Sequence, residues 1–157
     1  MFFNIPSSGH GSIVDGDLPN SLRNLSKRNP SLTKTGFILL GHGSKRKEWQ
    51  IPFERLLARL EETTGKDQFF LAYLESSKPS LEEVVASLAK KKEKIYIWPL
   101  FLSLGGHVGQ DIPKILENLR KKYSLPLILL PCLGKWDEFW DFLYQQSLHL
   151  WRGQKEP

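Results

Sequence analysis

Four short, uninterrupted apolar runs constrain the fold of this sequence most strongly. They occupy residues 37–40, 68–74, 95–102 and 127–130. Such runs are typical of parallel strands covered on both faces, whereas half-exposed strands alternate apolar and polar residues. The runs therefore predict strands of a parallel β-sheet.

Helical periodicity fills the segments that follow the runs, because apolar residues recur there at the i, i+3, i+4 and i+7 spacing of one helix face. The four sets are Phe53/Leu56/Leu57/Leu60, Leu81/Val84/Val85/Leu88, Ile112/Ile115/Leu116/Leu119 and Trp136/Phe139/Trp140/Leu143. Near the predicted starts of the first three helices lie Pro52, Pro79 and Pro113. Gly65 follows the first helix. The aromatic stripe of the last helix could supply a partner surface, but we expect it to pack in the core.

The order βαβαβαβα predicts an α/β fold: an open parallel sheet of four strands with helices on both faces and right-handed crossovers. Pro99 lies within the third run and cannot donate to the ladder, so it must lie at a strand end, an edge or a bulge. We expect one domain over residues 35–151, after a flexible N-terminal extension over residues 1–34 and before a tail over residues 152–157. A chain of 157 residues leaves no room for a second full core.

Composition narrows the class of protein further. No apolar run approaches the roughly 20 residues of a membrane span, and the first residues lack the pattern of a secretory signal, so we expect a cytoplasmic protein with no membrane contact. Cys132 is the single cysteine, which excludes an internal disulfide and a thiolate-clustered zinc site. The basic run at residues 90–94 closes a predicted helix, so we interpret it as a solvated helix end and expect no nucleic-acid partner.

Ligands of open parallel sheets bind beyond the carboxyl ends of the strands, so the residues directly after each run are the candidate site. Those residues are His42, Ser44, Lys45 and Arg46 after the first run, Glu75 after the second, and Ser103, Gly105, Gly106 and His107 after the third. Two imidazoles and a carboxylate are thus predicted to meet at one edge of the sheet.

Neutral imidazole is a good ligand for Fe²⁺, Co²⁺, Ni²⁺ or Zn²⁺, and two imidazoles without thiolates leave positions open for a metal that exchanges. The glycines beside His42 and His107 let a bulky ligand approach the backbone closely. Each histidine taken alone is also compatible with a capping or half-buried side chain, and Glu75 with a carboxylate at a helix start. In a functional site, Glu75 would complete the metal site or accept a proton.

The loop that contains Lys45 and Arg46 can hold carboxylates or phosphates through backbone N–H groups and cationic side chains. Neither GxxxxGK[ST] nor GxGxxG is present, so nucleotide binding has no support in the sequence. A second GHGS at residues 9–12 follows no apolar run, and we interpret it as a coincidence.

Three blocks of sequence surround these candidates: LLGHGS at residues 39–44, AYLESSKPSL at 72–81, and WPLFLSLGGHV at 98–108 with DIP at 111–113. Together they make the chain resemble the short, single-domain class II chelatases, the sirohydrochlorin cobaltochelatase and ferrochelatase family. The resemblance covers about residues 36–130. This sequence differs from the family at Lys78, where an acidic residue is usual, and at Lys45, which separates GHGS from Arg46.

The resemblance implies a chelatase-like, flavodoxin-like fold and a homodimer of half-size units. It also implies a lyase that inserts Co²⁺ or Fe²⁺ into sirohydrochlorin, in cobalamin or sirohaem biosynthesis, with the metal as substrate and no permanently bound cofactor. His42 and His107 would then handle the metal, and Glu75 would be their acidic catalytic partner. The residues expected to bind the tetrapyrrole are Ser44, Lys45, Arg46, Ser103, Gly105 and Gly106.

Metal insertion requires a base for two pyrrole protons, and a neutral histidine or Glu75 can serve. The net charge of +5 would attract an acidic macrocycle. Two alternatives stay open. A metal or tetrapyrrole carrier could keep both histidines without catalysing anything, and a histidine phosphotransferase would share the His-Gly dipeptide, although Gly41 stands where those enzymes have arginine.

Overall fold

The computed structural model describes residues 33–103 and 105–153, and its centre is a four-stranded, all-parallel sheet. The strands are β1 (Thr35–Gly41), β2 (Phe69–Tyr73), β3 (Lys94–Pro99) and β4 (Leu127–Leu129). They lie in the order β2-β1-β3-β4. The chain leaves β1 to form β2 on one side and later forms β3 on the other side. The carboxyl end of β1 is therefore the topological switch point where such sheets bind ligands.

Four helices follow the strands: α1 (Ile51–Thr64), α2 (Leu81–Leu88), α3 (Gly106–Tyr123) and α4 (Asp137–Gly153). Single 3₁₀ turns at Lys47–Trp49 and Leu133–Lys135 precede α1 and α4. Pro52 lies in the first turn of α1, and Gly65 ends that helix with a positive φ of 84°. Both observations confirm the sequence-based boundaries of α1.

One face of the sheet forms the larger core with α2 and α3. The strands contribute Ile38, Leu40, Ile95 and Ile97, and the helices contribute Leu81, Val85, Ile112 and Leu116, all of which are fully buried. Burying an aliphatic side chain of this size stabilises a fold by about 1.5–3 kcal/mol. The alternation of side chains along each strand sends the intervening residues to the opposite face.

The opposite face of the sheet packs against α1. Leu39, Leu71 and Tyr73 are buried there, in contact with half-buried residues of α1 and with Trp98. Helices therefore cover both faces, and the predicted α/β architecture is confirmed. Pro99 is the last residue of β3, at a strand end as predicted.

Three details differ from the predictions. Helix α3 begins at Gly106, so Pro113 lies inside it and not near its start. Three glycines in five residues, from 105 to 109, made the first turns of α3 look like a loop. The third apolar run is a strand only as far as Pro99, because residues 100–103 form the turn into α3.

Helix α4 differs most from its prediction, because none of its residues is buried and its aromatic stripe is not part of the core. The 3₁₀ turn at Leu133–Lys135 directs the helix so that its beginning contacts the rest of the chain. The helix extends to Gly153, two residues into the segment expected to be a tail. Most of the N-terminal extension lies outside the described residues, and the domain limits stay predictions. None of the helices in the described residues is both long and apolar enough to cross a bilayer.

Candidate functional site

His42 and Glu75 lie side by side at the carboxyl edge of the sheet. His42 directly follows β1, and Glu75 lies two residues beyond β2, its neighbour in the sheet. The His42 Nδ1 atom is 3.4 Å from Glu75 Oε1, and both side chains are more than half exposed. This distance exceeds the roughly 2.8 Å of a close charge-assisted hydrogen bond, so the pair is loose and open to a ligand.

The backbone continues the β1–β2 pairing past the ends of the two strands. Leu74 N donates to Gly41 O, and Glu75 N donates to His42 O, both at 3.0 Å. Gly43 then turns with a φ of +97°, and a Cβ atom built there would lie 1.8 Å from the Glu75 carbonyl oxygen. Only glycine fits this close approach, so the glycine after His42 holds the two loops together.

The Ser77 hydroxyl ties the loop after β2 to the loop after β1. It accepts from Ser44 N at 2.9 Å and donates to Ser44 O at 2.8 Å. Gln50 Nε2 donates to the same hydroxyl at 3.2 Å, and Arg46 N donates to Ser44 Oγ at 3.1 Å. The predicted site residue Ser44 is thus fixed by local structure. Sequence reasoning gave no role to Ser77 or Gln50, and the only signal for Ser77 is its place just after β2.

A pocket of about 160 Å³ opens beside His42. Its lining is largely apolar and includes Trp49, Phe53, Tyr73 and Phe101. The rings of His42 and Phe101 meet edge to face, with 5.9 Å between their centroids. Burial raises the pKa of the Tyr73 hydroxyl, and the Glu54 carboxylate raises it further. The Tyr73 hydroxyl is buried without a hydrogen-bond partner among the described residues.

The third group of predicted residues lies where β3 turns into α3. Ser103 is exposed, Gly105 caps α3, and His107 is the second residue of that helix. The 3₁₀ turn at Leu133–Lys135 packs closely against it, because a Cβ atom on Gly134 would lie 1.8 Å from the Leu102 carbonyl oxygen. The backbone of His107 is therefore at the same edge of the sheet as His42. The His107 side chain lies outside the described part of the structure, so the separation of the two imidazoles stays a prediction.

Cationic side chains flank the site on its β1 side. Lys45 and Arg46 are exposed and form no ion pair within the described residues. Lys78 instead pairs with Glu83 at the start of α2, and this hydrogen bond lowers the pKa of the Glu83 carboxyl. Lys45 and Arg46 are thus free to bind an anion, whereas Lys78 is engaged.

Fold and site together define an open parallel α/β protein with an exposed histidine–carboxylate pair at its topological switch point. No group of three potential metal-ligating side chains occurs among the described residues, to which the His107 side chain does not belong. The CbiX family model matches residues 36–149. The chain belongs to the CbiX family.

Two relatives show how far the similarity extends. The sirohydrochlorin cobaltochelatase of Sulfurisphaera tokodaii is 35% identical over 89 residues, which are 54% of this chain and 70% of that protein. The chloroplastic sirohydrochlorin ferrochelatase of Arabidopsis thaliana is 29% identical over 90 residues, 57% of this chain. The match spans 40% of the Arabidopsis protein, less than half of its length.

The crystal structure of a CbiX protein from Marinobacter aquaeolei VT8 has a similar fold. The TM-score is 0.67 at 26% sequence identity. The similarity covers 76% of this chain and 99% of that one. The chelatase-like fold implied by the sequence is confirmed.

Proposed function

We propose that this protein inserts a divalent metal ion, Co²⁺ or Fe²⁺, into sirohydrochlorin. The observation that carries the proposal is the loose His42–Glu75 pair, which is exposed at the switch point of a CbiX-family fold. Relatives named as cobaltochelatase and ferrochelatase support this choice of reaction and of metals.

His42 would bring the metal to the macrocycle. In one tautomer, the His42 Nδ1–H would face Glu75 Oε1, 3.4 Å away, and Nε2 would keep a lone pair for the metal. A second group orients metal-binding histidines in this way. His107, in the first turn of α3, would supply the other imidazole. A metal held by two imidazoles keeps exchangeable positions, and it can therefore pass to four pyrrole nitrogens.

Glu75 would remove protons as the metal enters. The reaction replaces two pyrrole N–H protons by one divalent cation, so two protons must leave the macrocycle for each metal inserted. A carboxylate that faces the metal-binding histidine is well placed to accept them and release them to water. More than half of the Glu75 side chain is exposed, so the carboxylate can release these protons directly to water.

The macrocycle would lie across the open edge of the sheet. A pocket of about 160 Å³ is small beside the roughly 300–1,000 Å³ of typical ligand sites, so the pocket would hold only one edge of a tetrapyrrole. Lys45 and Arg46 would bind its carboxylates. The remaining expected contacts are Ser44, Ser103, Gly105 and Gly106.

The assembly and the cellular setting extend this proposal. We infer a homodimer, because one copy offers an open and shallow site and the family resemblance implies half-size units. We also infer that the protein is cytoplasmic. The pathway would be cobalamin or sirohaem biosynthesis, since both cobaltochelatases and a ferrochelatase are among the relatives.

An anaerobic absorbance assay with sirohydrochlorin and Co²⁺ or Fe²⁺ tests the function. We expect the wild type to accelerate metal insertion, with at least about 100-fold losses in His42→Ala and His107→Ala and a similar loss in Glu75→Gln. His149→Ala, which replaces an exposed histidine of α4, is the matched control and should keep full activity. A wild type no faster than the protein-free reaction would contradict the enzyme and favour a carrier.

A further inference from the structure

Trp49 is a large apolar side chain beside the proposed metal-binding histidine. It is the last residue of the 3₁₀ turn at Lys47–Trp49, and it lines the pocket that opens next to His42. Its exposed fraction is 66%, the highest of any large hydrophobic side chain in the described part of the protein. A single exposed apolar residue is common on protein surfaces. The position of this one, in the lining of the candidate site, is what calls for an explanation.

The backbone that carries Trp49 is fixed on both sides of the residue. Trp49 N donates to Arg46 O at 3.2 Å, and Gln50 N donates to Lys47 O at 2.9 Å. The Gln50 side chain donates to Ser77 Oγ at 3.2 Å, which attaches the turn to the loop after β2. Gln50 is also the residue from which α1 begins. The indole is therefore held in place before any ligand arrives, and a ligand that contacts it loses little free energy in ordering the backbone.

Trp49 lies at the rim of the pocket and not at its bottom. Of the tryptophan, phenylalanine and tyrosine side chains that line the pocket, Trp49 alone is exposed, whereas Phe53, Tyr73 and Phe101 are buried or half-buried. The pocket has a volume of about 160 Å³. A tetrapyrrole seated in it by one edge must extend over the rim, where the indole surface is available.

One short loop supplies both cations and this aromatic surface. Lys45 and Arg46 are among the four residues before Trp49, and both are exposed. Cationic side chains bind carboxylates, and an indole stacks on flat conjugated rings. A ligand that uses all three side chains is therefore flat and conjugated, with carboxylates at its edge. An aliphatic ligand would gain contact area from the indole but no stacking.

We propose that Trp49 is a substrate-binding residue of this chain, whose indole stacks on the part of the sirohydrochlorin plane that extends beyond the pocket. The identity of the ligand rests on the proposed function, but the role of Trp49 lies in binding the macrocycle and not in inserting the metal. Stacking does not distinguish the substrate from the transition state, so Trp49 contributes to affinity and leaves the rate of the chemical step to the residues around the metal.

Anaerobic calorimetric titration of the full chain with metal-free sirohydrochlorin tests this role. We expect Trp49→Ala to raise Kd about tenfold, as the loss of one stacking aromatic does at other flat ligands. Trp49→Phe keeps a ring and should stay within about threefold of the wild type. Ile51→Ala also removes an exposed apolar side chain, but one outside the pocket lining, and should keep the wild-type Kd.

The stability of these variants separates a lost contact from a damaged fold. Because Trp49 and Ile51 are exposed and belong to neither core cluster, urea unfolding of all three variants should match that of the wild type. The kinetic readout should show the same selectivity. In the metal-insertion assay, Trp49→Ala should raise KM about tenfold and leave kcat nearly unchanged, the pattern of an interaction made equally before and during the reaction.

Salt distinguishes stacking from an indirect effect on the neighbouring cations. Both the wild type and Trp49→Ala should bind more weakly at about 0.5 M than at about 0.05 M NaCl, since carboxylate binding is screened. The ratio of their Kd values should stay the same, because stacking involves no net charge. A ratio that falls to one at high salt would overturn stacking and show that Trp49 acts through Lys45 and Arg46.

The binding and insertion assays fail in different ways. A Trp49→Ala variant with the wild-type Kd would overturn the role of Trp49 and leave the proposed enzyme intact. A Trp49→Phe variant as weak as Trp49→Ala would overturn stacking. If the wild type binds sirohydrochlorin without accelerating metal insertion, the enzyme is overturned, and the Kd ratio still decides for or against Trp49. A wild type with no affinity for sirohydrochlorin would overturn both.

Discussion

Gly43 shows how one absent methyl group positions the site. Its backbone turns at a φ of +97° directly against the Glu75 carbonyl, next to the two hydrogen bonds that extend the β1–β2 pairing. His42 and Glu75 face each other because the loops approach this closely. The side chains carry the proposed chemistry, but the backbone of the neighbouring glycine sets the distance between them.

Gly43→Ala should therefore destabilise the fold and separate His42 from Glu75. A methyl group 1.8 Å from a carbonyl oxygen must push the two loops apart, and an alanine at positive φ adds strain, so we expect a loss of about 1–3 kcal/mol in the free energy of unfolding. Urea unfolding measures this loss. Gly36→Ala, inside β1, meets only ordinary contacts at 3.5 Å or more and is the control. Equal stability of the two variants would contradict the close approach.

The sequence predicts His42 and Glu75 at one edge because each residue follows an apolar run, and parallel strands end at the same edge. It does not predict the role of Ser77 and Gln50. Their hydrogen bonds depend on the path of two loops and on the start of α1, and no local pattern encodes that three-way contact. Lys78 pairs with Glu83, whereas Lys45 and Arg46 form no ion pair within the described residues. The sequence does not predict this difference, because all three residues are basic and close to the site, and only tertiary contacts distinguish them.

At the scale of elements, α2 is the helix whose start is most completely specified. Ser80 Oγ accepts from Glu83 N, and Glu83 Oε2 accepts from Ser80 N, which together form a capping box. Tyr73 N also donates to Pro79 O, so the start of α2 is attached to the end of β2. The cap therefore supports the segment that leads from Glu75 into the helix.

Ser80→Ala should lower the free energy of unfolding by about 1 kcal/mol, because it leaves a helix N–H without its acceptor. The part of the capping-box stabilisation that depends on the Glu83 charge should vary with pH. The Lys78 and Ser80 hydrogen bonds lower the pKa of the Glu83 carboxyl in the folded state. Its contribution is thus complete above the ordinary glutamate pKa of about 4.3 and is lost as the pH falls through the lower, folded value.

Urea unfolding of Ser80→Ala and of Glu83→Gln between pH 7 and pH 3 measures both effects. Glu82→Gln, one residue away and also exposed, is the control for charge alone. If the difference between Glu83→Gln and the wild type does not shrink toward low pH, the carboxylate is not part of the cap.

The elements themselves were largely predictable, because continuous apolar runs and 3.6-residue periodicity each report a local environment. The exceptions have physical reasons. Three of the residues from 105 to 109 are glycine, which is a poor helix former, and they concealed the first turns of α3. The stripe of α4 was predicted to be core, since periodicity shows that a helix has an apolar face and not which chain covers it.

At the scale of the whole molecule, the order β2-β1-β3-β4 gives the protein two different ends. The candidate site, with Lys45 and Arg46, lies at the carboxyl end of the strands. Lys90 and Lys91 lie at the amino end, between α2 and β3. The net charge of +5 is thus distributed over both ends. An acidic macrocycle would be attracted by the total charge at long range, but only the carboxyl end would hold it.

This distribution predicts how metal insertion depends on salt. Because the Debye length is about 10 Å at 0.1 M and shorter at higher ionic strength, kcat/KM for sirohydrochlorin should fall as salt is added. Replacing Lys45 and Arg46 together by glutamine should raise KM and flatten this dependence. Replacing Lys90 and Lys91 by glutamine changes the net charge equally, from +5 to +3. That variant should keep the wild-type KM and nearly the same salt dependence, because its missing charges lie at the opposite end of the sheet. Equal changes in both double variants would show that the total charge, and not the loop after β1, attracts the substrate.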